Sequence, residues 1–257
     1  MRTIAFLNLK GGVAKTATTV NTAAILAKDY GQKVLVVDAD SQANTSEFLG
    51  FDLIPVGTLA DVLRGKPDEG KLAKTSIIRS NIKDVDLLPA EDSLMDLDLT
   101  KAEDGRAYLN CLRDLKERIQ DKYSYMLIDC PPAFNAASAA ALLAADEVII
   151  PIKLDAFSLR GMGNLMRQIS NMRKINASLK LGGLLPTMWY KSDNVKEAEE
   201  QLRASGLPVL PHIRRTNKVD DMTFQQEPLT ISSPKSAACI DYRRFVKALV
   251  QGGAANG

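Results

Sequence analysis

The feature that most restricts this chain is an apolar run at 3–9 that closes on Asn8-Leu9-Lys10-Gly11-Gly12-Val13-Ala14-Lys15-Thr16 and passes directly into a helical pattern at 15–30. Adjacent glycines let consecutive backbone N–H groups turn toward one point, and a helix start adds its own unsatisfied N–H groups and the positive end of its dipole. Strand, loop and helix in that order form a cradle for a phosphate. Within it Lys15 is placed to reach β- and γ-phosphates and the Thr16 hydroxyl to ligate magnesium. The simple GxxxxGK[ST] spacing is not met, because Leu9 and Ala14 stand at both of its glycine positions.

Around this loop, short β-branched runs alternate with longer helical patterns. Strands are expected at 3–9, 33–38, 85–88, 125–129, 147–152 and 181–185, several apolar throughout, as strands covered on both faces are. Helices are expected at 15–30, 106–122, 135–145, 159–175 and 193–205, with a last one at 235–250. Such alternation implies right-handed crossovers and an α/β fold: a doubly wound, mainly parallel sheet with helices on both faces. With 46% apolar and 25% charged residues in 257, one domain over 1–251 is expected, followed by a flexible tail at 252–257. The polar stretch 51–104, punctuated by Gly57, Gly65, Pro67 and Gly70, reads as surface helices and loops rather than a second domain.

Several chemistries are disfavoured. Cys111, Cys130 and Cys239 are odd in number and lack CxxC spacing, which argues against a disulfide framework or a zinc site and for a reducing compartment. His212 is the sole histidine and reads as structural, so catalysis falls to lysine, aspartate, threonine and backbone groups. No stretch approaches the roughly 20 apolar residues of a membrane span, and no leader pattern precedes the first apolar run.

The segment KGGVAKT, Lys10 to Thr16, resembles the deviant Walker motif KGGxGKT of the ParA and MinD family, whose additional lysine corresponds to Lys10. Further matches follow in order. Val34 to Asn44, VLVVDADSQAN, is similar to the family's second strand and its DxDxQGN turn; Met126 to Pro132, MLIDCPP, is similar to its Walker B strand; LLPA at 87–90 and VIIPI at 148–152 match weaker stretches. The resemblance is clear over residues 2–175, and within the family it points to the small, Soj-like ParA partition ATPases.

The resemblance implies a P-loop ATPase with ATP and Mg²⁺ as cofactors, its phosphates held by Lys10, Gly11, Gly12, Val13, Ala14, Lys15, Thr16 and Ala17. Asp40 would orient or activate the attacking water, while Asp38 and Asp129 would support the magnesium, through its water shell, beside Thr16. Lys10 would cross to the partner's phosphates in an ATP-induced homodimer, with a logic similar to that of an arginine finger. Thr187 and Met188 are expected to line the base pocket. Two departures point to slow hydrolysis: Ala14 stands where the family has glycine, at a cost of order 1 kcal/mol if the position needs positive φ, and Ala17 replaces a threonine.

Net charge is +2, but residues 1–150 carry 17 Lys and Arg against 22 Asp and Glu, whereas 151–257 carry 16 against 9. A basic half can face a polyanion. Arg160, Arg167 and Lys174 recur every seven residues; Arg214, Arg215 and Lys218 cluster before one helix; Arg243, Arg244 and Lys247 share the last. The last two groups are the expected contacts to non-specific DNA, Lys218 by its match to a basic family position. With no basic and aromatic cluster at its end, the chain departs from MinD-like membrane binders. Without a helix-turn-helix ahead of the first strand, sequence-specific operator binding is not expected. A cytoplasmic, nucleoid-associated switch that segregates plasmid or chromosomal DNA, released by a ParB-like centromere-binding partner, is the reading that follows. A weakly hydrolysing nucleotide-dependent adaptor and a membrane-associated positioning ATPase are its alternatives.

Overall fold

A computed structural model describes residues 1–50, 57–64, 76–97 and 105–252, without the side chains of 105–108 and 156–160. Seven strands form one sheet: β1 Arg2–Phe6, β2 Val34–Asp38, β3 Ile78–Arg79, β4 Val85–Leu88, β5 Tyr125–Asp129, β6 Glu147–Lys153 and β7 Lys180–Thr187, in the order β3-β4-β2-β5-β1-β6-β7. All neighbours pair in parallel except β3, which runs antiparallel to β4 at one edge. The helices are α1 Lys15–Tyr30, α2 Asn44–Gly50, α3 Leu59–Arg64, α4 Gly105–Ile119, α5 Ala136–Ala144, α6 Ala156–Arg173, α7 Asp193–Ala204, α8 Asn217–Gln225, α9 Leu229–Ser232 and α10 Ala237–Val250.

Because side chains alternate along a strand, each apolar run supplies both layers. Ala5, Leu35, Val37, Met126, Ile128, Val148 and Ile150 meet α3 to α7 on one side. Ile4, Phe6, Val34, Val36, Leu127 and Ile149 meet α1, α2 and α8 to α10 on the other. Helix α1 is buried continuously from Ala17 to Ala27, and its Thr18 hydroxyl lies 3.3 Å from the Tyr242 hydroxyl of α10. One glycine is dictated by packing: Gly183, at φ 147 and beside a register shift in β6–β7, has room for no Cβ, since Leu210 Cγ would lie 2.8 Å from it.

The doubly wound parallel sheet agrees with the expectation from sequence. Strand β1 stops at Phe6 rather than 9, because Asn8 turns its side chain into the ladder's place: Nδ2 donates to Pro151 O at 2.7 Å and Oδ1 accepts from Lys10 N at 3.0 Å. Of the stretch 51–104, the described part is less superficial than expected, with Leu59, Ala60 and Leu63 of α3 buried under the sheet; the remainder, and 253–257 of the tail, lie outside the described residues.

Candidate functional site

Parallel register brings the ends of three strands together: Phe6 is level with Asp129, and Asp129 with Asp38. The loop leaving β1 therefore passes over two carboxylates that face each other from β5 and β2, both essentially without solvent contact. Gly12 (φ 67) and Ala14 (φ 64, ψ 34) are both left-handed, and Ala14 is the N-cap of α1. The first turn closes with Thr18 N on Ala14 O at 2.9 Å, which leaves the N–H groups of Lys15, Thr16 and Ala17 without intrahelical acceptors. Ala14 thus occupies the strained position anticipated from its replacement of glycine.

Lys15 is buried, its ammonium 3.4 Å from Lys10 O. Burial lowers its pKa against the opposing pull of Asp129, Cys130 and Asp40. The Thr16 hydroxyl donates to Asp129 Oδ2 at 2.7 Å, and Thr45 donates to the same oxygen at 2.6 Å. Asp129 Oδ1 is buried with no hydrogen-bond partner. Asp38 accepts from Ser46 N and Oγ at 2.8 and 2.7 Å and from Asp40 N at 3.1 Å. Burial, then the neighbouring Asp129, pushes the Asp38 carboxyl up to about 7; burial likewise raises that of Asp129.

Two buried carboxyls with one orphaned oxygen are unfavourable without a counter-cation. A magnesium ion fits this donor set: the Thr16 hydroxyl can be a direct ligand, with Asp129 and Asp38 accepting from its waters. No group of three or more His, Cys, Asp or Glu among the described residues could form an all-protein cage. Magnesium bound to a nucleotide keeps several waters and takes phosphate oxygens as ligands, so few protein groups suffice.

Asp40, at the mouth, accepts from Gln42 N at 3.1 Å. It lines, with Gly11, Gly12, Lys15 and Thr16, a cleft of about 530 Å³ that extends to α2 and α8. A second cleft of about 210 Å³ adjoins it, lined by Thr187, Met188 and Tyr190 after β7 and by the strap at 213–216. The two residues expected at the base pocket, Thr187 and Met188, therefore lie at this cleft, although the Thr187 hydroxyl donates to Val13 O at 3.1 Å. Lys10, which lines neither cleft, has its ammonium 2.8 and 2.9 Å from the two carboxylate oxygens of Asp155. The signature lysine is held within its own subunit here.

The basic residues expected at DNA fall into two groups. Arg214 clamps α10 to the strap: Nε and a terminal nitrogen contact Asp241 at 2.7 and 2.9 Å, and Asp241 is 2% exposed. Arg243 pairs with Asp29 at 2.7 Å and donates to Pro234 O. Arg215 and Lys247 face solvent with no ion-pair partner among the described residues, Arg244 is 68% exposed beside Asp241, and Lys218 pairs with Asp221 on the surface. Arg167 and Lys174 are exposed; the side chain of Arg160 is outside the described residues. His212 is structural as expected: it stacks on Trp189 with centroids 4.3 Å apart, and its Nδ1 meets Glu199.

Sequence reasoning missed Thr45 and Ser46, which order the two carboxylates, and Asp155, which holds Lys10. The first two carry a signal, since hydroxyl residues follow the Asp40 turn where a helix begins. Asp155 carries none, being 145 residues from its partner.

A family model described as an AAA domain matches residues 1–181. The chromosome partitioning protein ParA of Caulobacter vibrioides is 35% identical over 201 residues, 77% of this chain and 73% of its own. The sporulation initiation inhibitor protein Soj of Bacillus subtilis is 28% identical over 257 residues, 97% and 98% of the two chains. Among solved structures, cobyrinic acid a,c-diamide synthase from Mycobacterium smegmatis with bound ATP analog and magnesium superposes with a TM-score of 0.81 at 29% identity, covering 98% of this chain and 95% of that one. Among the described residues no helix is long and apolar enough to cross a membrane. With a glycine-lysine loop over paired strand-end carboxylates and relatives matched along most of its length, the chain belongs to the ParA/MinD family of P-loop ATPases.

Proposed function

We propose that this chain is an ATP-driven dimerising switch that partitions or positions DNA cargo. One observation carries the reading: a left-handed loop presenting helix-start N–H groups and a buried lysine lies over the Thr16–Asp129–Asp38 network, with Asp40 on the lining of the cleft. That arrangement suits phosphoryl transfer, which needs positioning and charge stabilisation rather than a covalent intermediate. Magnesium supplies charge neutralisation on the phosphates. Lys15 binds the β- and γ-phosphate oxygens, Thr16 and Asp129 orient the metal's side of the site, and Asp40 holds the attacking water by accepting its hydrogen bond.

Lys10 is 37% exposed, and exchanging Asp155 for the phosphates of a second subunit would make the dimer depend on ATP. Arg215, Arg244 and Lys247 supply solvent-facing charge for phosphate backbones, Lys218 joining them once released from Asp221. A dimer doubles this charge, so non-specific DNA binding follows ATP, and a ParB-like partner that stimulates hydrolysis releases the protein from the nucleoid. The chromosome partitioning protein ParA of C. vibrioides supports the partition role, and an ATP analog and magnesium in the M. smegmatis structure support the cofactors.

A second reading, a nucleotide-dependent adaptor that barely turns over, is favoured by the strain at Ala14 and the missing hydroxyl at Ala17. Binding to two unrelated DNA duplexes, measured with Mg·ATP and with Mg·ADP across a salt series, tests the switch. Equal affinity for both duplexes, present with ATP only and falling with a log–log slope of about −0.9 per phosphate contacted, is the expected result. DNA binding indifferent to nucleotide would overturn it.

A further inference from the structure

Four residues, Ala14, Met188, Val219 and Asp220, line both the phosphate cleft and the smaller cleft beside it. A nucleotide whose phosphates lie on Gly11 to Thr16 and whose base enters the smaller cleft must pass its sugar across this junction. Of the four, only Asp220 has a strong hydrogen-bond acceptor in its side chain, the Met188 thioether being a weak one. We propose that Asp220 reads the ribose, its carboxylate accepting from the 2′- and 3′-hydroxyls, so that the site takes ribonucleotides in preference to 2′-deoxynucleotides. The proposal rests on the nucleotide reading of the two clefts given above.

The surroundings of Asp220 favour a ligand partner over a structural one. Thr216 caps α8 by accepting from Lys218 N, and Thr223 donates to Asp220 O at 2.7 Å, so the backbone that carries the carboxylate is held at two points. Among the described residues the carboxylate itself makes no hydrogen bond or ion pair, whereas the next residue, Asp221, holds Lys218 at 2.9 Å. The other carboxylates at the strand ends are engaged by Ser46, Thr16, Thr45 or backbone N–H groups. Glu47 also lacks a side-chain partner, but it lines the phosphate cleft alone. An acidic residue in a first helical turn is stabilised by the helix dipole, which explains why the charge is tolerated beside a polyphosphate; Arg215, which also lines the smaller cleft, further offsets it. Two adjacent hydroxyls are donors that a carboxylate can bind together, and a site built to bind a hydroxyl rejects the analogue lacking it.

The test is calorimetric titration of the full chain with Mg·ATP and Mg·2′-dATP, for the wild type, Asp220→Ala and Asp220→Asn. The wild type should bind ATP about tenfold more tightly than dATP, the worth of one charge-assisted hydrogen bond in a solvent-open cleft. Asp220→Ala should abolish the preference, lowering ATP affinity by more than dATP affinity because ATP loses the 2′-hydroxyl contact as well as the 3′ one, and Asp220→Asn, whose amide oxygen still accepts, should keep part of the preference. Equal binding of ATP and dATP by the wild type, or equal loss of both in Asp220→Ala, would overturn the ribose assignment and leave the nucleotide site standing. Failure of the wild type to bind either nucleotide would overturn the site itself.

Discussion

Replacing Ala14 with glycine should make the ligand-free protein more stable, which is unusual for a change that removes a side chain. Ala14 has φ 64 and ψ 34, a conformation that costs a non-glycine residue about 1–2 kcal/mol. Glycine removes that cost but returns about 0.4–1 kcal/mol of conformational freedom to the unfolded chain. Position 14 is also the N-cap of α1 without a side-chain cap bond, a place where glycine is tolerated better than alanine. The balance favours Ala14→Gly by about 0.5–1 kcal/mol, or roughly 1–4 °C in melting temperature for a chain of this length. Urea unfolding followed by the fluorescence of Trp189, the sole tryptophan, measures it. The same variant should turn over ATP faster, because the Ala14 methyl lines the phosphate cleft. A variant less stable than wild type by more than about 0.5 kcal/mol would show that residue 14 is not left-handed and refute the reasoning.

Lys15→Ala should lose tight Mg·ATP binding, because it removes the buried ammonium placed against the cleft; nucleotide affinity near wild type in equilibrium dialysis would contradict this role. Lys10→Ala should bind ATP yet fail to dimerise, to hydrolyse or both, and mixing it with a hydrolysis-competent subunit tests whether the lysine acts across the interface. Arg214→Ala should act on stability rather than on DNA: it leaves Asp241, 2% exposed, with only the longer 3.6 Å ion pair to Arg244 among the described residues, at a cost of about 2 kcal/mol, less than for a fully buried pair because Arg214 is itself 39% exposed to screening solvent. Wild-type urea stability together with weakened DNA binding would instead make Arg214 a DNA contact.

The doubly wound core was legible because its strands are unbroken apolar runs: 34–38, 125–129 and 147–152 have no other way to bury both faces. The phosphate loop was legible for a local reason, since glycines, lysine and helix start are contiguous. What escaped was short or distant. Helices α2 and α9, of 7 and 4 residues, have too few turns for an apolar stripe to register. Strand β3 has two residues and pairs by backbone alone. Arg214 reads as a surface cation until Asp241, 27 residues on, is folded against it, and Arg243 reads so until Asp29 meets it from α1. Positive charge along a sequence is thus a poor count of free charge on the surface.

The central claim, that ATP binding at this loop switches the assembly state, is tested most directly with Asp40→Ala, which removes the carboxylate at the cleft mouth while leaving Lys15, Thr16 and Asp129 in place. Light scattering on the eluting protein should give one chain, 28.0 kDa, without nucleotide or with Mg·ADP, and twice that mass with Mg·ATP. A mass that stays at one chain while Mg·ATP is demonstrably bound would contradict the account.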